Sequence, residues 1–354
     1  MTVRKLMPLV AAALVAVLTL ALGAGTGAAR SDVAAGPATF KVALVTDIGG
    51  LDDRSFNFLA NKGLQDAKRK LKVEGRVFIS KSDRDYIPNL STAARQGYNL
   101  VISVGFLMGD STAAVAKRFP KTKFAIIDNS GASKDLKGKP TNVRGLLFKE
   151  QEAGYLVGYL AGRQVLAKPF NGQTKLGAVG GLKIPPVDRF IAGYYAGAKK
   201  AGARVQVTHA YSQDFVDQAK CKEHALSQIA DGAGVVFQVA GQCGLGVLSA
   251  AKERGVFGIG VDADQGYLGQ HVMTSATKKV DVAVYKSIEA AKANGAKFRT
   301  NFNAIFTVKN GGVGYGKISN RIPPALKRAV ENIRKQIASG AIKGIPQAPP
   351  AVSG

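Results

Sequence analysis

The segment KVALVTDIGGLDDRSFNFLANKGLQDAKRKL, residues 41–71, decides the fold. Its first six residues, Lys41 to Thr46, form a nearly continuous apolar run, which marks a strand covered on both faces; a half-exposed strand would alternate. A glycine turn follows. From residue 55 to 71 the residues Phe56, Leu59, Ala60, Gly63, Leu64 and Ala67 fall on one helical stripe, with Asp53 placed to cap the helix. Strand, turn and amphipathic helix in this order open a βαβ unit.

The same pattern recurs outward along the chain. Apolar runs at 76–80, 100–104, 123–127, 143–148, 175–179, 204–210, 235–239 and 258–261 are separated by helical stretches, which predicts parallel sheets with helices on both faces. Nine strands are too many for one small doubly wound sheet, and the pattern restarts near Val143. The reading is therefore α/β, with two Rossmann-like lobes joined by hinge crossovers. The first lobe is expected at 40–143 plus about 276–304 and the second at 144–275 plus about 305–343. A helix over 280–294, a strand-like 302–308 and a last helix over 323–339 complete it, and the Pro-rich residues 344–354 read as a disordered tail.

Arg4 and Lys5 precede an apolar run at 6–22 and small residues at 23–29, the order of a secretory signal expected to be cleaved after about residue 29. A retained anchor is the alternative, since the run is almost long enough to span a bilayer. No later stretch approaches twenty apolar residues. No Cys follows the run, so the exported protein, periplasmic or cell-surface, is not expected to be a lipoprotein. The net charge of +25 comes from Lys and Arg spread along the chain, often on helical faces, as at Lys62, Lys68, Arg69, Lys70 and Lys72. Without an aromatic-interleaved basic cluster this reads as a solvated basic surface rather than a nucleic-acid site, with attraction to anionic envelope polymers or lipids as the alternative. The only two cysteines, Cys221 and Cys243, predict a disulfide if the fold brings their Cα atoms within about 7 Å. His209, His224 and His271 lack ligand spacing, so neither a metal nor another cofactor is expected.

In open α/β sheets ligands sit at the carboxyl ends of the strands, and a second lobe turns that edge into a cleft. This rule selects Asp47, Gly105 with Phe106, Asp128, Gly241 and Asp262, together with the helix start at Ser55, Phe56 and Asn57. Carboxylates and an amide bind hydroxyls or amide-like edges, rings stack, and glycines let backbone approach a ligand. Asp47 and Asp53 equally read as turn caps, and the rings equally read as core. A carboxylate after an apolar strand, as at Asp262, is costly to bury unpaired; it reads as a ligand group or a hinge ion pair. Gly241, Gly244 and Gly246 have the wrong spacing for a dinucleotide loop.

Several ordered segments carry a resemblance: TDIGGLDDRSFN at 46–57, VGFLM at 104–108, FAIID at 124–128, PVDRF at 186–190, VAGQCGLG at 239–246, IGVDADQ at 259–265 and TSATK at 274–278. With them the chain resembles the basic membrane protein family of ABC-importer receptors, whose characterised members include purine-nucleoside receptors. The resemblance implies a fold similar to type I periplasmic binding proteins, with three crossovers and lobes that close on ligand. It implies a nucleoside ligand, permease subunits of an ABC importer as partners, and a monomer. It assigns Asp262, supported by Lys278, to ribose hydroxyls, Asn57 and Asp128 to the base edge, and Phe106, Phe190 and Phe215 to stacking. An enzyme is not expected, because no Gly-x-Ser-x-Gly elbow, metal cluster or Walker loop occurs. A transcription regulator of the same fold would need a helix-turn-helix segment ahead of Lys41, where the export signal stands. A ligand sensor for a membrane signalling protein, or a receptor for another polar solute such as a sugar, keeps the fold and remains a rival.

Overall fold

A computed structural model describes residues 39–293 and 298–351; the expected export segment lies outside the described residues. The chain opens with β1 (Lys41–Val45), α1 (Phe56–Leu71), β2 (Glu74–Phe78), α2 (Tyr86–Arg95), β3 (Leu100–Ser103), α3 (Gly109–Arg118), β4 (Lys123–Ile127) and β5 (Val143–Phe148). It then crosses into α4 (Glu150–Ala167), β6 (Lys175–Gly180), α5 (Pro185–Ala201), β7 (Gln206–Tyr211), α6 (Gln218–Ala230), β8 (Ala233–Val239), α7 (Gly244–Glu253), β9 (Phe257–Asp262) and β10 (Val272–Lys278). A second crossing returns it through α8 (Val280–Lys292) and β11 (Phe302–Phe306), and a third leads to β12 (Val313–Tyr315) and α9 (Pro324–Ser339).

Two six-stranded sheets result, ordered β2-β1-β3-β4-β5-β11 and β7-β6-β8-β9-β10-β12. The orders correspond strand for strand, so β4 of the first lobe is the counterpart of β9 in the second. All pairs are parallel except β10 with β12. The central strands are sealed: β3, β8 and β10 are buried along their whole length, as runs covered on both faces must be.

The α/β fold of two lobes is as the sequence predicts, and the differences are local. The expected lobe boundary at 143/144 falls inside β5, whose pairing with β4 and β11 keeps it in the first sheet as far as Phe148. Those at 275/276 and 304/305 likewise fall inside β10 and β11, moving the crossings to Lys279 and to residues 307–312. β10 is absent from the nine apolar runs because Thr274, Ser275 and Thr277 interrupt it. All three are buried. Thr274 Oγ1 donates to Gly316 O at 3.0 Å, and Ser275 Oγ accepts from Gln265 N at 2.9 Å, so their polar atoms cost little inside the sheet. The tail read as disordered has no regular secondary structure through Ala351, yet Ile345 packs against the core.

The crossings are tied to one another. Lys149 N donates to Phe306 O and Lys279 N to Gly312 O, each at 2.9 Å, and Val308 N donates to Glu152 Oε2 at 2.7 Å.

Candidate functional site

A cavity of about 70 Å³ lies between the carboxyl ends of the two sheets, the edge at which ligands sit in folds of this kind. Asp47, Phe56, Asn57, Phe106 and Asp128 line it from the first lobe, and Phe190, Phe215, Gly241, Asp262 and Lys278 from the second. With Gly105, which lines it too, these are eleven of the twelve residues selected from the sequence. Ser55, the twelfth, lies behind the wall: fully buried, it donates from Oγ to Asp262 Oδ2 at 2.8 Å and approaches Val261 O at 3.2 Å, across the lobes. Gly49, Asp53, Leu107, Ile184, Val187 and Val239 also line the cavity. The apolar ones carried no sequence signal separating them from core.

In the first lobe the turn after β1 assembles a carboxylate–amide cluster. Asp53 accepts from the backbone N–H groups of Ser55, Asn57 and Phe58 at 2.7 to 3.0 Å, which satisfies the open end of α1. Its capping role is therefore real, although it also reaches the cavity. Asn57 Nδ2 donates to Asp47 Oδ1 at 2.7 Å and lies 3.3 Å from Asp53 Oδ2. Its Oδ1 is buried without a partner. Gly105, at φ 117°, makes room for Asp47: a Cβ there would sit 2.8 Å from Oδ2. Burial pushes the Asp47 carboxyl up to about 6 against the lowering by Asn57 and Gly49, and it raises Asp53 too.

A chain of buried ions crosses between the lobes. Lys278 Nζ lies 2.6 Å from both carboxylate oxygens of Asp128, donating to Oδ2, and 3.0 Å from Glu150 Oε1. Glu150 Oε2 in turn accepts from Arg189 Nε at 2.7 Å. The ammonium also sits over the rings of Phe148, Phe56 and Phe190, 4.9, 5.1 and 5.9 Å from their centroids. Burial pushes Asp128 up to about 6, opposed by Lys278. Burial alone would lower the lysine, but Asp128, Glu150 and Asp262 hold it above its usual value. The lysine pairs directly with Asp128 and Glu150 and acts on Asp262 through space, while the direct partner of Asp262 is Ser55. Burial pushes Asp262 up to about 7, with Lys278 and Ser55 pulling the other way. Sequence reasoning missed Glu150 and Arg189. An acid at the start of α4, ahead of the apolar stretch from Ala153 to Ala161, was the signal that could have found the first.

Phe56 and Phe106 line the cavity from the first lobe and Phe190 and Phe215 from the second. Phe190 is almost fully buried and meets Phe237 edge-on at 6.3 Å, so it is a core ring as well as a wall. The Phe215 loop is held by the predicted disulfide. Cys221 and Cys243 are joined with Cα atoms 5.5 Å apart, and Cys243 N donates to Phe215 O at 3.0 Å. Gly181, just past β6, leaves room for the ring, for a Cβ there would meet it at 2.3 Å.

The family model Bmp, described as ABC transporter substrate-binding protein PnrA-like, matches residues 40–346. The chain belongs to this family. Its sequence is 35% identical to the ABC transporter nucleoside-binding protein BmpA of Lactococcus lactis, over 85% of this chain and 88% of the relative. It is 34% identical to the CD4+ T-cell-stimulating antigen of Listeria monocytogenes, covering 88% and 89% of the two chains. Among solved structures, an ABC transporter solute-binding protein from Aeropyrum pernix matches with a TM-score of 0.77 and 30% identity, over 87% of this chain and 94% of that one. As a Bmp-family protein the chain is an extracytoplasmic substrate-binding component of an ABC transporter, which holds a small molecule and meets transporter permeases. Among the described residues no helix of this receptor is long and apolar enough to cross a membrane.

Proposed function

We propose that this receptor delivers a nucleoside, a purine nucleoside in first place, to its importer, acting as a monomer outside the cytoplasmic membrane. One observation carries the reading. Between four aromatic walls stand the side-chain acceptors of Asp47, Asn57 and Asp262, and Asn57 Oδ1 is buried with no hydrogen-bond partner among the described residues. A buried acceptor left unfilled is costly, so the ligand must bring N–H or O–H donors together with a flat apolar body. A nucleoside has both. In the proposed pose Asp262 takes the ribose hydroxyls, Asn57 and Asp128 read the base edge, and the phenylalanines flank the base. The likeness to the nucleoside-binding BmpA supports the same class. Both cysteines of this sequence are joined in the disulfide, which leaves no thiol for a lipid anchor.

The test is mass spectrometry of small molecules released from the purified protein, followed by thermal-shift titration with nucleosides, free bases and sugars. A nucleoside at a hundred times its Kd should stabilise the protein by about 2.7 kcal/mol. Stabilisation by sugars and not by nucleosides would overturn the reading.

A further inference from the structure

Glu150 does not line the cavity, yet its position is unusual. It is fully buried, it is the first residue after the crossing at Lys149, and it opens α4, whose N-terminus favours a carboxylate. Its partner Lys278 is the last residue before the crossing at Lys279. The Lys278 ammonium thus has one carboxylate from each side of the cleft, Asp128 of the first lobe at 2.6 Å and Glu150 of the second at 3.0 Å. Close packing holds the arrangement: a Cβ at Gly154 would meet Phe190 O at 2.1 Å and one at Gly193 would meet Gln151 O at 2.1 Å, so α4 and α5 fix Glu150 beside Arg189.

A buried lysine with a single carboxylate partner would resist lobe opening, because separation would leave its charge unpaired in a dry site. Two partners on opposite lobes change that balance. When the lobes part, Asp128 moves with the first sheet to the widened, wetter cleft, and Lys278 keeps Glu150. We infer that Glu150 is a positioning residue for lobe motion: it competes with Asp128 for Lys278 and thereby sets the ratio of open to closed receptor, with Arg189 tuning that competition by holding the second oxygen of Glu150. The inference goes beyond the nucleoside assignment and holds for any cavity ligand.

The two variants that test it should act in opposite directions. Glu150→Gln removes the competing charge, binds Lys278 to Asp128 alone, and lowers the open-to-closed ratio about tenfold, the scale of one charged hydrogen bond. Arg189→Gln frees Glu150 to draw Lys278 away from Asp128 and raises the ratio by a similar factor. The ratio is read from X-ray scattering of the ligand-free full chain, so failure of the nucleoside panel leaves this result standing. A purely structural role would loosen both variants alike. Shifts of the same sign, or an unchanged Arg189→Gln profile, overturn the inference. If Glu150→Gln does not fold, Arg189→Gln alone decides, because its side chain is partly exposed and tolerates loss.

Discussion

Asp128 and Asp262 occupy the same place in the two lobes, one just past the end of β4 and the other at the end of its counterpart β9. Both are left-handed, at φ 68° and 59°, a conformation asparagine and aspartate tolerate better than most residues. Their surroundings differ. Asp128 has an ammonium at 2.6 Å, whereas Asp262 has the Ser55 hydroxyl at 2.8 Å and meets Lys278 only through space. The neighbouring strand explains the contrast. Thr277 pairs with Asp262, so Lys278 follows beside it on β10, but the side chain turns across the cleft; the matching position of β5 is Phe148. A repeated strand-end carboxylate is thus ion-paired in one lobe and held by a hydroxyl in the other, and the cation of the second lobe serves the first.

The largest effect that could break this comparison is removal of the shared cation. Lys278→Met leaves Asp128 and Glu150 buried beside each other without an ammonium, which should cost about 3–5 kcal/mol in denaturant unfolding. A loss below about 1 kcal/mol would mean that the ion chain is not the structural half of the pair.

Asp262→Asn should do the reverse, sparing the fold and weakening ribonucleoside binding by at least about tenfold in isothermal titration. A nucleoside lacking both ribose hydroxyls should bind variant and wild type alike. The sign of the pH dependence sharpens this prediction. A carboxyl raised from 3.8 to about 7 contributes its stabilisation fully below its unfolded value and loses it as pH rises through about 7. Unliganded wild type should therefore lose stability as pH rises from about 4 to 7, and Asp262→Asn should reduce that loss, most of all in its upper part, since Asp47 and Asp128 titrate lower, at about 6. Ribonucleoside affinity should rise across the same stretch, since the ionised carboxylate is the better acceptor. Equal affinity of the variant at pH 8 would remove Asp262 from the ribose role.

The smallest effect belongs to Ser55→Ala. Loss of one hydroxyl donor should weaken binding by about threefold and move the pH midpoint of affinity upward, because the Ser55 bond helps keep Asp262 ionised. An unmoved midpoint would show that Ser55 supports the lobe contact alone.

Much of this site was legible without coordinates. A strand end in a parallel sheet is encoded locally, by an apolar run that stops and a turn that begins, so Asp47, Phe106, Asp128, Gly241 and Asp262 could be chosen from a few residues each. Phe190 and Phe215 came from the family resemblance, since a ring on a helix or loop has no local mark telling wall from core. β10 escaped notice because its threonines and serine look polar in the chain, and Ser275 and Thr274 are satisfied by partners 10 and 42 residues away.

The sequence by itself determined the βαβ rhythm, the two lobes, the paired cysteines and the strand-end carboxylates, because each follows from periodicity, residue type or count over short distances. Only the tertiary structure decided which charge meets which. Lys278 stands 150 residues from Asp128, and Ser55 stands 207 from Asp262. In a buried site the partner of a charge is settled by which groups the packing of both lobes leaves within about 3 Å and out of water.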